Sequence, residues 1–241
     1  MTNSTNQYGQ PVGPGVPKWS IRSLPESVAL QGVFCRLEPL SANLHASELY
    51  EAYATAPDGR DWTYMFAGPF RDEGEYRRYA EQAAQASDPK HFAVIDVARG
   101  QAVGTLALMR IKPAHGVIEV GHVAFSPLLK QKPAATEAQF LLMQYVFEKL
   151  GYRRYEWKCD SLNAPSRRAA ERLGFTFEGI FRQAVVYKGR NRDTAWFAIT
   201  DKEWPLMKQA FQAWLSQSNF DGRRAQRRSL AEIRRSLSSQ T

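Results

Sequence analysis

The chain has 241 residues, 44% hydrophobic and 23% charged, with a formal net charge of +8. That length and composition suit one domain with a sizeable core, perhaps with extensions, and the apolar runs are too short to span a membrane. Six arginines against Asp221 and Glu232 crowd residues 220–241, so half of the positive charge is terminal, and nucleic acid is not the expected partner. The N-terminus, MTNSTNQYGQPVGPG, lacks the basic start and apolar stretch of a secretory signal. The two cysteines, Cys35 and Cys159, make neither a disulfide framework nor a CxxC metal site. A reducing cytoplasm is the expected compartment, and no metal is expected.

Residues 1–20, rich in Asn, Gln, Gly and Pro, read as a flexible arm. VFCRLEPL (33–40) reads as a short strand. Leu44, Leu49, Tyr50 and Tyr53 give 43–55 helical spacing. Residues 56–70 form an aromatic loop. Residues 72–87 form a second helix whose acidic first turn suits the helix dipole. Residues 91–113 read as two strands around an Arg99-Gly100 turn, and 115–125 as a third. The helix 134–150 is apolar on most of its circumference, as a helix buried on a sheet must be, and Gly151 ends it. A strand at 152–160, a helix at 164–173 stopped by Gly174, two antiparallel strands at 175–189 and 193–200, and a helix at 202–217 follow. The basic segment 218–241 has the spacing of a further amphipathic helix around Leu230, Ile233 and Leu237.

This order predicts an α/β layered domain over 21–217 with a mixed sheet. Strands 115–125 and 152–160 are joined by a helical crossover and are expected to be parallel neighbours. Ligands in such sheets collect beyond the strands' carboxyl ends. Two segments leave strand ends there: SPLLKQKPAAT and DSLNAPSRR.

The turn KQKPAATEA (130–138) before its long helix, and NAPSRRAAERLGFTFEG (163–179), together resemble the GNAT acyltransferases. The resemblance covers about 91–200 and is closest to the branch containing the ribosomal-protein N-terminal acetyltransferases. It implies the GNAT fold, with splayed central parallel strands, and transfer of an acetyl group from acetyl-CoA to an amine. In the family, the turn after the central strand holds the CoA pyrophosphate on backbone amides. Lys130 takes the basic position there, Pro133 replaces the first glycine and Ala135 stands for the second. Asn163 matches a residue that contacts the pantetheine arm. Ser166 matches an acid for the leaving thiolate, and Glu178 matches a base or amine-positioning carboxylate. The tyrosine that many members use as acid is absent, with Ala170 in its place.

Proline suits a first helical position. The amides of Ala134, Ala135 and Thr136 are then expected to face the anion, with Lys130, Lys132, Arg167 and Arg168 beside them. Backbone amides near Val123 and Phe125 are expected to serve the acyl oxygen. Deprotonation of the amine has three candidates: Glu178, Glu119, whose apolar strand neighbours would raise its pKa, and His122. A chain of waters is the alternative to a direct base. Each carboxylate also reads as the structural partner of an arginine such as Arg182 or Arg110, and Ser166 and Asn163 also read as helix-cap residues. Trp62, Tyr64, His122 and Arg182 are the acceptor-side candidates, with Asp58 and Asp61 to attract a cationic amine. A second reading is an inactive binding module whose basic tail meets RNA, a ribosome or a protein. The apolar stripe of the tail also fits a helix packed on the domain or on the partner in a homodimer.

Overall fold

The computed structural model describes residues 4–222 and 225–239. Arg223 and Arg224 of the basic tail, and Met1–Asn3 of the N-terminal arm, lie outside the described residues. In chain order the elements are β1 (Ser4–Thr5), β2 (Pro11–Val12), β3 (Leu30–Gln31), β4 (Cys35–Pro39), α1 (Ala42–Ala54), α2 (Glu73–Gln85), β5 (Lys90–Asp96), β6 (Gln101–Lys112), β7 (Val117–Phe125), α3 (Pro133–Gln144), β8 (Arg154–Asp160), α4 (Ala164–Leu173), β9 (Thr176–Tyr187), β10 (Arg190–Thr200), α5 (Trp204–Leu215) and α6 (Leu230–Ser238).

Eight strands form one mixed sheet in the order β3-β4-β5-β6-β7-β8-β10-β9. Its neighbours run antiparallel except β7 and β8, which run parallel through the α3 crossover. Helices α1 and α2 cover one face, where Leu49, Tyr76 and Ala80 pack on Ala93 and Ile95. Helices α3, α4 and α5 cover the other, and Phe140, Phe147 and Trp204 stack there at 5.1–6.0 Å between α3, its exit and α5. The exit of α3 widens into a π-turn over Tyr145–Lys149. Leu44, placed by its spacing on the buried face of the first helix, is 70% exposed, and His45 and Ala46 face inward instead.

Two packing details position the functional region. Helix α6 begins with a full capping box, Ser229 with Glu232, and buries Leu230 and Ile233 against the same core as α5. The apolar stripe of the tail is therefore covered by its own chain. At the other end, Trp19 donates its indole N–H to the Ala114 carbonyl at 2.9 Å and lies beneath Arg22.

The parallel pairing of β7 and β8 runs from Val117 opposite Arg154 to Val120 opposite Trp157 and stops there. On its other side β7 carries an extra residue: Ala107 pairs with Gly121, yet Thr105 pairs with Ala124. His122 takes up the bulge in the left-handed region, with φ 48°. Beyond Val120 the strands separate, and one edge of Gly121–Phe125 faces open space.

Candidate active site

The separated strands open a cleft of about 890 Å³. Alternation along β8 assigns its two sides. Tyr155, Trp157 and Cys159 point into the core with α3 and α4, while Glu156, Lys158 and Asp160 point to the opposite face.

On the α4 side, Asn163 caps the helix by accepting the Ser166 N–H at 3.1 Å. The Trp157 indole N–H donates to Ser166 Oγ at 3.0 Å. An accepted bond on the oxygen leaves the hydroxyl proton for another partner, and both Asn163 and Ser166 line the cleft. The cap reading of Asn163 is thus satisfied without removing it from the cleft. Helical periodicity then selects which arginines follow. Arg168 and Arg172 share the cleft face with Pro165 and Ala169. Arg167 falls on another face, over the Phe177 ring at 5.6 Å, and does not line the cleft. Arg172 was not singled out from sequence. Its side chain is solvent-exposed overall, desolvation nevertheless lowers its pKa, and its described partner is Thr136 Oγ1 at 3.0 Å, with no carboxylate at ion-pair distance among the described residues.

The turn before α3 departs from expectation. Lys132 is the N-cap, exposed and off the cleft lining. The Ala135 amide already points to the Lys132 carbonyl at 3.1 Å, and Thr136 lies one full turn past the cap, where amides find partners within the helix. Of the three amides expected to be free, that leaves Ala134. Thr136 itself is buried and its hydroxyl faces Arg172. Gln131, at φ 60°, and Lys130 complete the turn, but the Lys130 ammonium is paired with Asp61. Further along α3, Ala135 and Gln139 line the cleft, and both polar atoms of the buried Gln139 amide lack a partner among the described residues.

On the opposite face, Glu119 and Glu156 stand directly opposite each other across β7 and β8. Two buried carboxylates side by side repel, and Lys158 resolves this by placing its ammonium 2.9 Å from one and 2.6 Å from the other, over the Trp196 ring at 3.8 Å. Arg110 adds a looser contact to Glu119 at 3.5 Å. Burial nevertheless raises the Glu119 pKa, against the lowering pull of Lys158 and Arg110. His122 lines the cleft beside it, its pKa lowered by burial. Its ring meets His91 at 4.9 Å, whose pKa falls to about 4 through burial and the nearness of His122.

Glu178 is not in this group. It sits at the start of β9, where Arg154 grips both its oxygens, one of them at 2.7 Å, at the end of β8 remote from the separation. Glu178 therefore corresponds to the structural ion-pair reading, with Arg154 as the partner. Arg182 lines a shallow depression on the outer edge with Gln183 and Asp193, not the cleft. A bulge at Gln183, φ 51°, turns that stretch outward.

The loop 56–70 roofs the opposite face because the β9–β10 turn clamps it. Lys188 Nζ donates to the carbonyls of Trp62 and Gly68 at 2.9 and 2.6 Å, and Arg190 to that of Thr63 at 2.8 Å. Tyr64 and Phe66 thereby line the cleft. Trp62 does not: its ring is packed edge-on against Tyr53 and Phe70 and fills the space beside Gly68. Asp58 is held by Arg60 and Asp61 by Lys130, so neither is an open anionic lure. Val123 and Phe125 line the cleft from β7.

Among the described residues no group of three or more His, Cys, Asp or Glu side chains could hold a metal ion, and no helix is long and apolar enough to cross a membrane. The family model for an acetyltransferase (GNAT) domain matches residues 35–176. A solved structure of a GCN5-related N-acetyltransferase from Brucella melitensis is 52% identical, with TM-score 0.90, covering 91% of this chain and 100% of that one. A probable acetyltransferase of the GNAT family from Chromobacterium violaceum is 41% identical, with TM-score 0.75, covering 81% and 98%. YnaD, an uncharacterized N-acetyltransferase of Bacillus subtilis, is 30% identical over 86 residues, 36% of this chain, and the match spans 50% of that relative's length.

Proposed function

This chain belongs to the GNAT acetyltransferase family, and from that premise we propose that it moves an acetyl group from acetyl-CoA to a primary amine, both held in the cleft at once. The observation that carries the reading is a division of labour across the sheet. Ser166 stands on the α4 side of the separated strands, Glu119 and His122 on the other, and the unpaired edge of Gly121–Phe125 lies between them.

The cleft suits a CoA thioester on structural grounds. It offers an open strand edge, the buried Gln139 amide, which has no partner among the described residues, and the α4 cations Arg168 and Arg172. In this reading Arg172, Arg168 and the Ala134 amide hold the pyrophosphate. That places more of the phosphate binding on α4 than on the turn before α3, which compensates for Pro133. Bound there, the thioester supplies the activated acetyl group.

The chain's own residues do the rest. Glu119 takes the proton of the amine, directly or through water, because burial has raised its affinity for one. Lys158 keeps the neighbouring Glu156 from competing, since its ammonium lies closest to that carboxylate. Amides on the edge of Val123–Phe125 face the acyl oxygen as it gains charge. Ser166 gives a proton to the departing sulfur, its oxygen oriented by Trp157. The resemblance of 163–179 to ribosomal-protein N-terminal acetyltransferases enters as part of this proposal and keeps a protein N-terminus among the candidate acceptors.

Thermal melting with CoA tests the premise. At about 100 times its dissociation constant the ligand is expected to stabilise the protein by about 2.7 kcal/mol; no shift at millimolar CoA overturns the reading. Ser166→Ala is expected to lower kcat by about 10- to 100-fold, modest for proton transfer because a thiolate leaves readily, with CoA affinity preserved. Unchanged turnover removes Ser166 from the acid role.

A further inference from the structure

One buried cation in the cleft has no carboxylate at ion-pair distance among the described residues. Arg192, on β10, is 8% exposed and lines the cleft. Among the described residues no carboxylate comes within ion-pair distance of it, and its Nε has no hydrogen-bond partner. Its guanidinium lies over two rings, 5.5 Å from the centroid of Phe66 and 5.9 Å from that of Tyr187. Two residues on, Thr194 is also buried, lines the same cleft and leaves its Oγ1 unpartnered. Thr194 pairs across the sheet with Asp160, and Trp196 with Lys158. The alternation therefore puts Arg192 and Thr194 on the Glu119 face, away from Ser166.

A buried guanidinium without a partner anion is costly, and ring contacts recover on the order of 2 kcal/mol of that. The nearby acid is not free to serve. Asp160 already accepts the Tyr187 hydroxyl at 2.7 Å and the Leu162 amide at 2.9 Å. Lys158 lies between Glu119 and Glu156, so it offers no spare charge either. The face thus presents one guanidinium with no carboxylate at ion-pair distance among the described residues, a rigid planar fork held by two rings and beside a hydroxyl. That set matches one singly charged, planar anion taken bidentately. A phosphate dianion would bring a second negative charge into a face that already holds Asp160, Glu119 and Glu156.

We infer that Arg192 and Thr194 form a subsite for a carboxylate on the acceptor, so that the substrate is a small primary amine carrying a carboxylate, an amino acid being the simplest; this rests on the acetyl-transfer reading above. The carboxylate neutralises Arg192 and fixes the far end of the molecule, and the amine end then points along the face toward Glu119.

The test compares α- and ω-amino acids with their carboxamides in a thiol-release assay with acetyl-CoA. Wild type is expected to favour some acids over the matching amides by about 10- to 100-fold in kcat/KM, the range of a charged hydrogen bond. Arg192→Gln is expected to abolish the preference through KM, and Arg192→Lys to restore part of it. Equal use of acids and amides by wild type, or a preference that survives Arg192→Gln, overturns the proposal. The same pairs are run in thermal melts with saturating CoA, which need no turnover. There a stabilisation by acids, absent with amides and absent in Arg192→Gln, supports the subsite even if no amine is acetylated; equal melts for acids and amides overturn it. A CoA-induced shift retained by Arg192→Gln shows that the variant is folded. A missing shift in wild type instead overturns the acetyl-transfer reading itself.

Discussion

Glu119→Gln is expected to lower kcat by about 10²- to 10³-fold while leaving the CoA-induced melting shift in place. The residue lies on the acceptor face and not on the cofactor side, which is why turnover and CoA binding should separate. The pH profile should change with it. A base works in its ionised form, so activity falls as pH drops through its pKa. Burial holds the Glu119 pKa above the usual carboxylate range, so the acid limb of the wild-type profile belongs above that range as well. Glutamine has no such ionisation, and the residual activity of Glu119→Gln should lose that limb. His122→Gln is the control, since a neutral imidazole could accept the same proton. If the limb survives in Glu119→Gln and vanishes in His122→Gln, the histidine is the base and Glu119 only positions Lys158.

Glu137→Gln is expected to cost roughly 3–5 kcal/mol of stability. Its carboxylate is buried in α3 and accepts three successive backbone N–H groups from the β3–β4 turn: Val33 at 2.8 Å, Phe34 at 2.6 Å and Cys35 at 2.7 Å. Gly32 is required there because a Cβ would overlap that carboxyl. An amide has one acceptor oxygen for three donors and turns its own NH₂ toward the rest. Urea unfolding should show a lower midpoint with an unchanged slope. The consequence reaches the cleft, because Glu137 is one turn from Ala134 on the same helix. CoA affinity should fall with stability in Glu137→Gln, while Arg172→Gln should weaken CoA with little loss of stability. A loss below about 1 kcal/mol in Glu137→Gln would mean that the turn finds other acceptors.

The two residues teach different lessons about legibility. Glu119 could be read, because a lone carboxylate in VIEVGH interrupts a strand that is otherwise largely apolar. Glu137 could not, since a glutamate in a helix looks solvated until the turn that wraps it is known. Lys158 and Glu156 were overlooked although a signal existed: in YRRYEWKCD the charged residues Glu156, Lys158 and Asp160 alternate with Tyr155, Trp157 and Cys159, the mark of a strand buried on both faces with a polar constellation on one. Arg167 and Arg168 were indistinguishable as neighbours in the chain, and the rotation of α4 separates them.

By itself the sequence determined the layered order of helices and strands, the parallel pair joined by a crossover, the start of α4 at Asn163 and the two strand ends where a ligand gathers. Those follow from period, turn chemistry and capping, which act within a few residues. Tertiary structure alone decided which charges are free. Glu178 and Lys130, chosen for their place in a motif, are neutralised by Arg154 and Asp61 from distant segments. Arg172 and Arg192, which no motif marks, have no carboxylate at ion-pair distance among the described residues, and Arg192 is buried as well. Charge pairing is set by distance in space, and a linear chain records that distance only after it has folded.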